Sequence, residues 1–363
     1  PLDTHTTNSR KARGHLDSRR TLVPIPGHID CCTIVSLYRI SQRHNNRRDA
    51  ALTVLLCSAM VQRVNAASPS THRSTPAWSW SAVADLIRLR NQSGTWLLLL
   101  PSLWSLVLAN QGRPPMWLLG VFTLGAFVMR SLGVVFNDLA DRNFDKHVAR
   151  TRTRPLAAGR LAPRQALLVA LGLAVIAAAL VITLNPFTML LSPIALFLAA
   201  IYPFSKRWIQ IPQGVLGIAF GWGAVMAWAA SRGSIEAPAW WLFAATTCWA
   251  IAYDTIYALQ DCEDDRRIGV KSSALLFGEA VPVAVGVFLV GMVLCLVVAG
   301  QLSGLGMGYY LILALPTGVF LWQVRRLQAP VTPHIAFAMF KQHVYSGVAI
   351  LVGIWIGTFN QTP

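Results

Sequence analysis

PRQALLVALGLAVIAAALVITLNPFTMLLSPIALFLAAIYPFSKR, residues 163 to 207, decides the fold. Between Arg164 and Lys206 no side chain is charged. That length is about twice the roughly 20 helical residues that cross a hydrocarbon core of about 30 Å. Asn185-Pro186 divides the run, because proline has no N–H to donate and Asn-Pro is a turn signal. The stretch therefore reads as two spans, near 166–184 and 186–203, joined by a tight turn.

Working outward, seven similar stretches lie near 93–109, 116–136, 214–230, 238–259, 281–300, 306–324 and 343–358. The expectation is an all-α, polytopic membrane bundle of about nine transmembrane helices, occupying residues 80–360. The composition agrees: 54% of the 363 residues are hydrophobic and 13% charged, against about 25% charged in an ordinary soluble domain.

The net charge of +16 does not call for a nucleic acid, since a nucleic-acid surface places its basic residues on polar faces. Here they follow topology instead. Loops after even-numbered spans carry fifteen Lys and Arg, from Arg142 to Lys341, whereas the other side has Arg113 and Arg232. By the positive-inside rule the even loops face the cytoplasm, or the matrix of a mitochondrion. The six cysteines show neither disulfide nor zinc spacing. Residues 1–75 differ from the rest, being rich in Arg, His, Ser and Thr, with one short apolar run, Ala50 to Val61. They read as a disordered or transit-like extension.

The chemistry sits at the ends of two even-numbered spans. The second closes on Arg130-Ser-Leu-Gly133-Val-Val-Phe-Asn137-Asp138-Leu-Ala-Asp141-Arg142-Asn-Phe-Asp145. Asn137, Asp141 and Asp145 recur every four residues, so on a continuing helix they share one face. Three such oxygen donors suit a hard cation; magnesium takes one or two carboxylates and keeps water and phosphate as further ligands. The sixth span closes on Tyr253-Asp254, Tyr257 and Gln260-Asp261-Cys-Glu263-Asp264-Asp265. Asp261 and Asp265 are again four apart, and Asp254 precedes Asp261 by two helical turns. Two carboxylate sets facing one another across a cavity would repel unless cations such as magnesium lay between them and bridged a diphosphate. Arg130 and Asp254 lie inside their spans, where ionisable groups are costly and usually functional. Lys206 and Arg207 close the fourth span on the same side and suit an anion, as does Arg142.

Together these residues resemble the UbiA superfamily of intramembrane prenyltransferases, and within it the 4-hydroxybenzoate polyprenyltransferases. Gly133 to Asp145, continuing through Val148, Arg150-Thr151 and Arg154-Pro155-Leu156, is similar to the family's N-D-x-x-D-R-x-x-D-x-x-V-x-R-T-x-x-R-P-L. The pattern Tyr253-Asp254-Thr255, Tyr257-Ala258 and the acids to Asp265, then Ile268-Gly269 and Lys271-Ser272, resembles the hydroxybenzoate branch. The resemblance implies a nine-helix bundle around a central cavity open to lipid, in a bacterial or mitochondrial inner membrane, with polyprenyl diphosphate and 4-hydroxybenzoate as substrates. It implies magnesium and diphosphate roles for Asn137, Asp141, Asp145, Asp261 and Asp265, and an anion pocket containing Arg207. One departure stands near the first span: Arg88-Leu-Arg90-Asn91-Gln92 keeps only the Arg of the family's R-x-D-K-P, which argues against a substrate contact for Arg88. Other aromatic acceptors, or a cation-coupled transporter, are the competing readings of the same acids.

Overall fold

The computed structural model of the chain describes residues 77–148 and 150–359, so the extension to residue 75 lies outside the described residues. Among the described residues there is no strand. In chain order the helices are α1 (Trp80–Leu86), α2 (Ser93–Ala109), α3 (Met116–Asp141), α4 (Pro163–Ile182), α5 (Pro186–Trp208), α6 (Pro212–Arg232), α7 (Ala237–Ala258), α8 (Cys262–Ile268), α9 (Ser273–Phe277), α10 (Val281–Leu302), α11 (Met307–Arg326) and α12 (Pro333–Phe359).

Their ends follow from local chemistry. Pro163, Pro186, Pro212 and Pro333 stand at the first helical position, where a missing N–H costs nothing. Asn185 separates α4 from α5 as expected. Its side chain accepts from the Thr188 N–H at 2.9 Å and donates to the Ala229 carbonyl of α6 at 2.8 Å. Gly233 ends α6 with a φ of 71°, a left-handed conformation that glycine adopts without a Cβ clash.

Among the described residues nine helices have 17 to 27 residues. Seven elements are long and apolar enough to cross a membrane by length and composition: α3, α4, α5, α6, α10 with α9 before it, α11 and α12. This is a multi-pass membrane protein. The two others differ for a reason. Helix α2 has only 17 residues, and α7 carries Thr246, Thr247, Tyr253 and Asp254 because it packs against α2, α6, α10 and α12 rather than lipid. One boundary departs from expectation: α12 begins at Pro333, well before residue 343, so Lys341 lies within a helix rather than a loop. At 1.5 Å per residue its 27 residues span about 40 Å, longer than a hydrocarbon core of about 30 Å.

The core joins α2, α7 and α12. Trp104 and Trp249 are fully buried with ring centroids 5.0 Å apart, and the Trp104 indole donates to the Gly347 carbonyl at 2.9 Å. A Cβ on Gly347 would lie 2.7 Å from both Leu100 and Trp249, so glycine lets α12 approach this closely. Leu168, Val283 and Leu311 stay exposed on the outer faces of α4, α10 and α11, as lipid-facing positions require. Inside the bundle, α2 to α7 and α12 border a cavity of about 890 Å³.

Candidate active site

The large cavity is mostly apolar, walled by residues such as Leu97, Phe122, Val181, Leu196 and Phe340. A second chamber of about 300 Å³ has a different lining. Asp141, Asp145, Asp254, Asp261 and Asp265 supply its carboxylates, and Arg150, Arg154, Lys206, Arg207 and Lys271 its cations. Arg150, Thr151, Arg154, Tyr202, Lys206, Asp254 and Tyr257 border both spaces, so these residues form the neck between an apolar and a charged compartment.

The first acid motif is arranged differently from the expected helical face. Helix α3 stops at Asp141, the chain turns, and Asp145 opens a short 3-10 turn, so Asp145 does not continue the helix. Asn137 borders the large cavity, and its Oδ1 accepts from Lys206 Nζ at 3.0 Å. Asp141 borders the small one, 3.6 Å from the same ammonium. Asp145 is buried and takes both of its oxygens' bonds from Arg154, at 2.9 and 3.1 Å. A charged partner substitutes here for the helical register. Asp138, which spacing does not single out, is buried at 1% exposure between Arg88 and Arg154. Arg88 therefore holds an acid of the motif.

The second motif keeps its internal spacing. Helix α7 ends at Ala258 and Asp261 is the N-cap of α8. The Asp265 N–H donates to the Asp261 carbonyl at 2.8 Å, which sets the two acids one turn apart. Arg150 reaches across to Asp261 through two bonds and to the Tyr257 hydroxyl through a third. Burial opposes the Arg150 charge, yet Tyr257 and Asp261 outweigh it and raise the guanidinium above its ordinary range. Burial, reinforced by the Asp261 carboxylate, pushes Asp265 up to about 6. Asp264 borders neither chamber and lies toward Arg267, at 4.0 Å.

Arg150 and Arg154 belong to the loop charges that topology accounts for, but the structure gives them acids to hold. The signal was the Arg-Thr-x-x-Arg segment of the motif. Arg207 borders the small chamber, donates to the Ala140 carbonyl at 3.0 Å, and so also caps the end of α3. Arg142 is exposed and borders neither chamber. Arg130 and Asp254 both border the large cavity, yet among the described residues they do not pair with each other.

Could these residues hold magnesium? Among the described residues no three acids, His or Cys converge into a ready-made metal group, because Arg150, Arg154 and Lys206 stand between the carboxylates. Magnesium needs only one or two protein carboxylates beside phosphate and water. Five carboxylates and five cations around one small chamber are balanced by themselves. A diphosphate entering it adds negative charge that further cations can offset. The donor set fits the ion.

Comparison with known proteins agrees with this geometry. Residues 98–346 match the UbiA prenyltransferase family. The chain is 44% identical over 285 residues to the 4-hydroxybenzoate octaprenyltransferase of Pectobacterium carotovorum subsp. carotovorum, covering 78% of this chain and 99% of the relative. It is 46% identical over 275 residues to that of Aeromonas hydrophila subsp. hydrophila, covering 76% and 96%. Among solved structures, a UbiA homolog from Aeropyrum pernix is similar with a TM-score of 0.62 and 26% identity, covering 71% of this chain and 96% of that one. A UbiA homolog from Archaeoglobus fulgidus, solved with GPP and Mg2+, shares the fold with a TM-score of 0.53 at 16% identity, covering 75% and 99%. The chain is a multi-pass membrane prenyltransferase and belongs to the UbiA family.

Proposed function

We propose that this protein transfers a polyprenyl chain from polyprenyl diphosphate to the ring carbon ortho to the hydroxyl of 4-hydroxybenzoate, a step of ubiquinone biosynthesis, in a magnesium-dependent reaction. The observation that carries the reading is the neck: a chamber rich in carboxylates and cations shares part of its lining with an apolar cavity. Such a pair of spaces suits a substrate with a charged head and a hydrocarbon tail. The names of the relatives support the acceptor.

Asp141, Asp145, Asp261 and Asp265, with Asn137 beside them, would hold the metal and the diphosphate. Bound there, magnesium supplies positive charge that stabilises the departing diphosphate. Lys206 and Arg207 donate to the phosphate oxygens, with Arg142 outside them on the approach. Arg150 and Arg154 hold Asp261 and Asp145 until the substrate arrives. Arg130, inside the large cavity, takes the acceptor carboxylate, and Tyr257 borders the ring at the neck. The prenyl tail lies along Val181, Leu196 and Ala199 of α4 and α5, where the apolar wall excludes the water that would otherwise capture an allylic cation. The loops carrying the two motifs face the cytoplasm or matrix of an inner membrane, by the asymmetry of basic residues.

The test is product analysis. The purified protein in liposomes receives polyprenyl diphosphate and 4-hydroxybenzoate, 1,4-dihydroxy-2-naphthoate or homogentisate, and products are identified by mass spectrometry. Prenylated 4-hydroxybenzoate, formed with magnesium and lost in excess chelator, is expected. Undiminished turnover in chelator refutes the metal role, and prenylation of another acceptor alone refutes the substrate.

A further inference from the structure

Two arginines hold acids proposed to bind the metal, and their surroundings differ. Arg154 gives Nη1 to both oxygens of Asp145, at 2.9 and 3.1 Å, and to Asp138 at 3.2 Å. Asp138 is shared with Arg88, so Arg154 is tied into a network around two buried acids. Arg150 has no such tie. Its Nε donates to Oδ1 of Asp261 at 2.9 Å and its Nη2 to Oδ2, side-on, while Nη1 reaches the Tyr257 hydroxyl. The Arg150 side chain is 40% exposed and that of Arg154 20%. Of the two, Arg150 is the one that can leave its acid without opening the interior.

A guanidinium in that position and a divalent cation do not share Asp261 at low cost. Both oxygens already accept charge-assisted bonds, and an ion approaching them meets a full positive charge at close range in a partly buried site. The balance of the chamber has the same consequence: its five carboxylates face five cations, so a metal ion entering alone would leave it positive. A diphosphate changes both conditions. It adds negative charge, and its oxygens suit the forked donors of an arginine as a carboxylate does. Arg150 borders both spaces, so it stands at the neck, where the proposed substrate joins its charged head to its tail.

We infer that Arg150 is the resident counter-ion of Asp261 and gives the acid up to a metal ion only when a diphosphate takes the guanidinium in exchange. The assignment rests on the prenyl transfer and the metal role proposed above, and adds the order in which the site fills. Metal and diphosphate then bind with positive coupling, each raising the affinity for the other by the same factor. Arg150 keeps the empty site from taking up free metal, and Asp261 becomes a ligand only in the complex that is to react.

The test uses Mn2+ as the probe, with the full chain in detergent micelles and no diphosphate, free Mn2+ being read by electron paramagnetic resonance. Arg150→Gln removes the charge and keeps a polar side chain. It should bind Mn2+ about 10- to 100-fold more tightly than wild type, the range expected when a charge-assisted hydrogen bond no longer has to be broken. Its prenyl transfer should nevertheless fall, so metal affinity and turnover move in opposite directions, which a merely destabilised site would not produce. Adding Asp261→Asn to Arg150→Gln should return the Mn2+ affinity to the wild-type level or below. In wild type, the Mg2+ concentration giving half-maximal turnover should fall as prenyl diphosphate is raised through its KM. Mn2+ affinity unchanged by Arg150→Gln overturns the inference, and so does a gain that survives loss of the Asp261 carboxylate. A half-maximal Mg2+ concentration in wild type that ignores prenyl diphosphate overturns it without any variant. Prenyl transfer undiminished in excess chelator refutes the metal role itself, whereas a metal-dependent enzyme without these couplings refutes only the role of Arg150.

Discussion

Removing the Arg88 side chain tests how the first acid motif is held. Asp138 is 1% exposed, and Nη2 of Arg88 serves both its oxygens. Losing one partner of a buried ion pair costs about 3–5 kcal/mol. Arg88 is itself 25% exposed and Arg154 remains beside the acid, so screening and the second cation reduce the cost to about 2–3 kcal/mol. A separable backbone effect accompanies it. Arg88 has a φ of 57°, in the left-handed region, where a residue with a Cβ is less stable than glycine by about 1–2 kcal/mol. Arg88→Ala loses the pair and keeps the strain; Arg88→Gly loses both. The glycine variant should be the more stable of the two by about 1 kcal/mol. At about 2–4 °C per kcal/mol, Arg88→Ala should unfold roughly 4–12 °C below wild type in detergent, with Arg88→Gly recovering about 2–4 °C. Prenyl transfer should also fall in both, because Arg154 shares Asp138 with Arg88 and holds Asp145. Equal stability of the two variants would refute the strain, and wild-type stability in both would refute the pairing.

Asp141→Asn and Asp261→Asn should each lower turnover by orders of magnitude with little loss of folded protein, while Asp264→Asn, outside both chambers, should do much less; equal losses at all three positions would show the chambers are misassigned. Arg207→Lys keeps the loop charge but not the forked donor, so kcat/KM should drop about 10- to 100-fold with normal membrane insertion. Wild-type kinetics there would leave Arg207 as a topogenic residue and a cap on Ala140. Gly94→Ala places a Cβ 2.5 Å from Arg130 Nε and should raise the KM for the acceptor more than that for prenyl diphosphate. The opposite split would remove Arg130 from the acceptor site.

Much of this protein is legible from its sequence, because the deciding quantities are local. The 41 uncharged residues between Arg164 and Lys206, an Asn-Pro turn and the distribution of Lys and Arg establish a membrane bundle without any contact being known. The spacing of Asp261 and Asp265 survives folding because both lie on one helical turn. The same spacing at Asp141 and Asp145 does not, since α3 ends between them and the position of Asp145 is set by Arg154. The long-range partners are also tertiary. Arg88 meets Asp138, and Arg150 meets Asp261, across 50 and 111 residues. No periodicity encodes which cation meets which acid, because that depends on where separate helices end relative to one another. The sequence alone determined the lipid-facing bundle and the kinds of group at its polar end. Only the tertiary structure decided that most of those acids are already paired, that Asp254 and Arg130 are unpaired among the described residues, and that they border one cavity, because pairing depends on distances between remote segments.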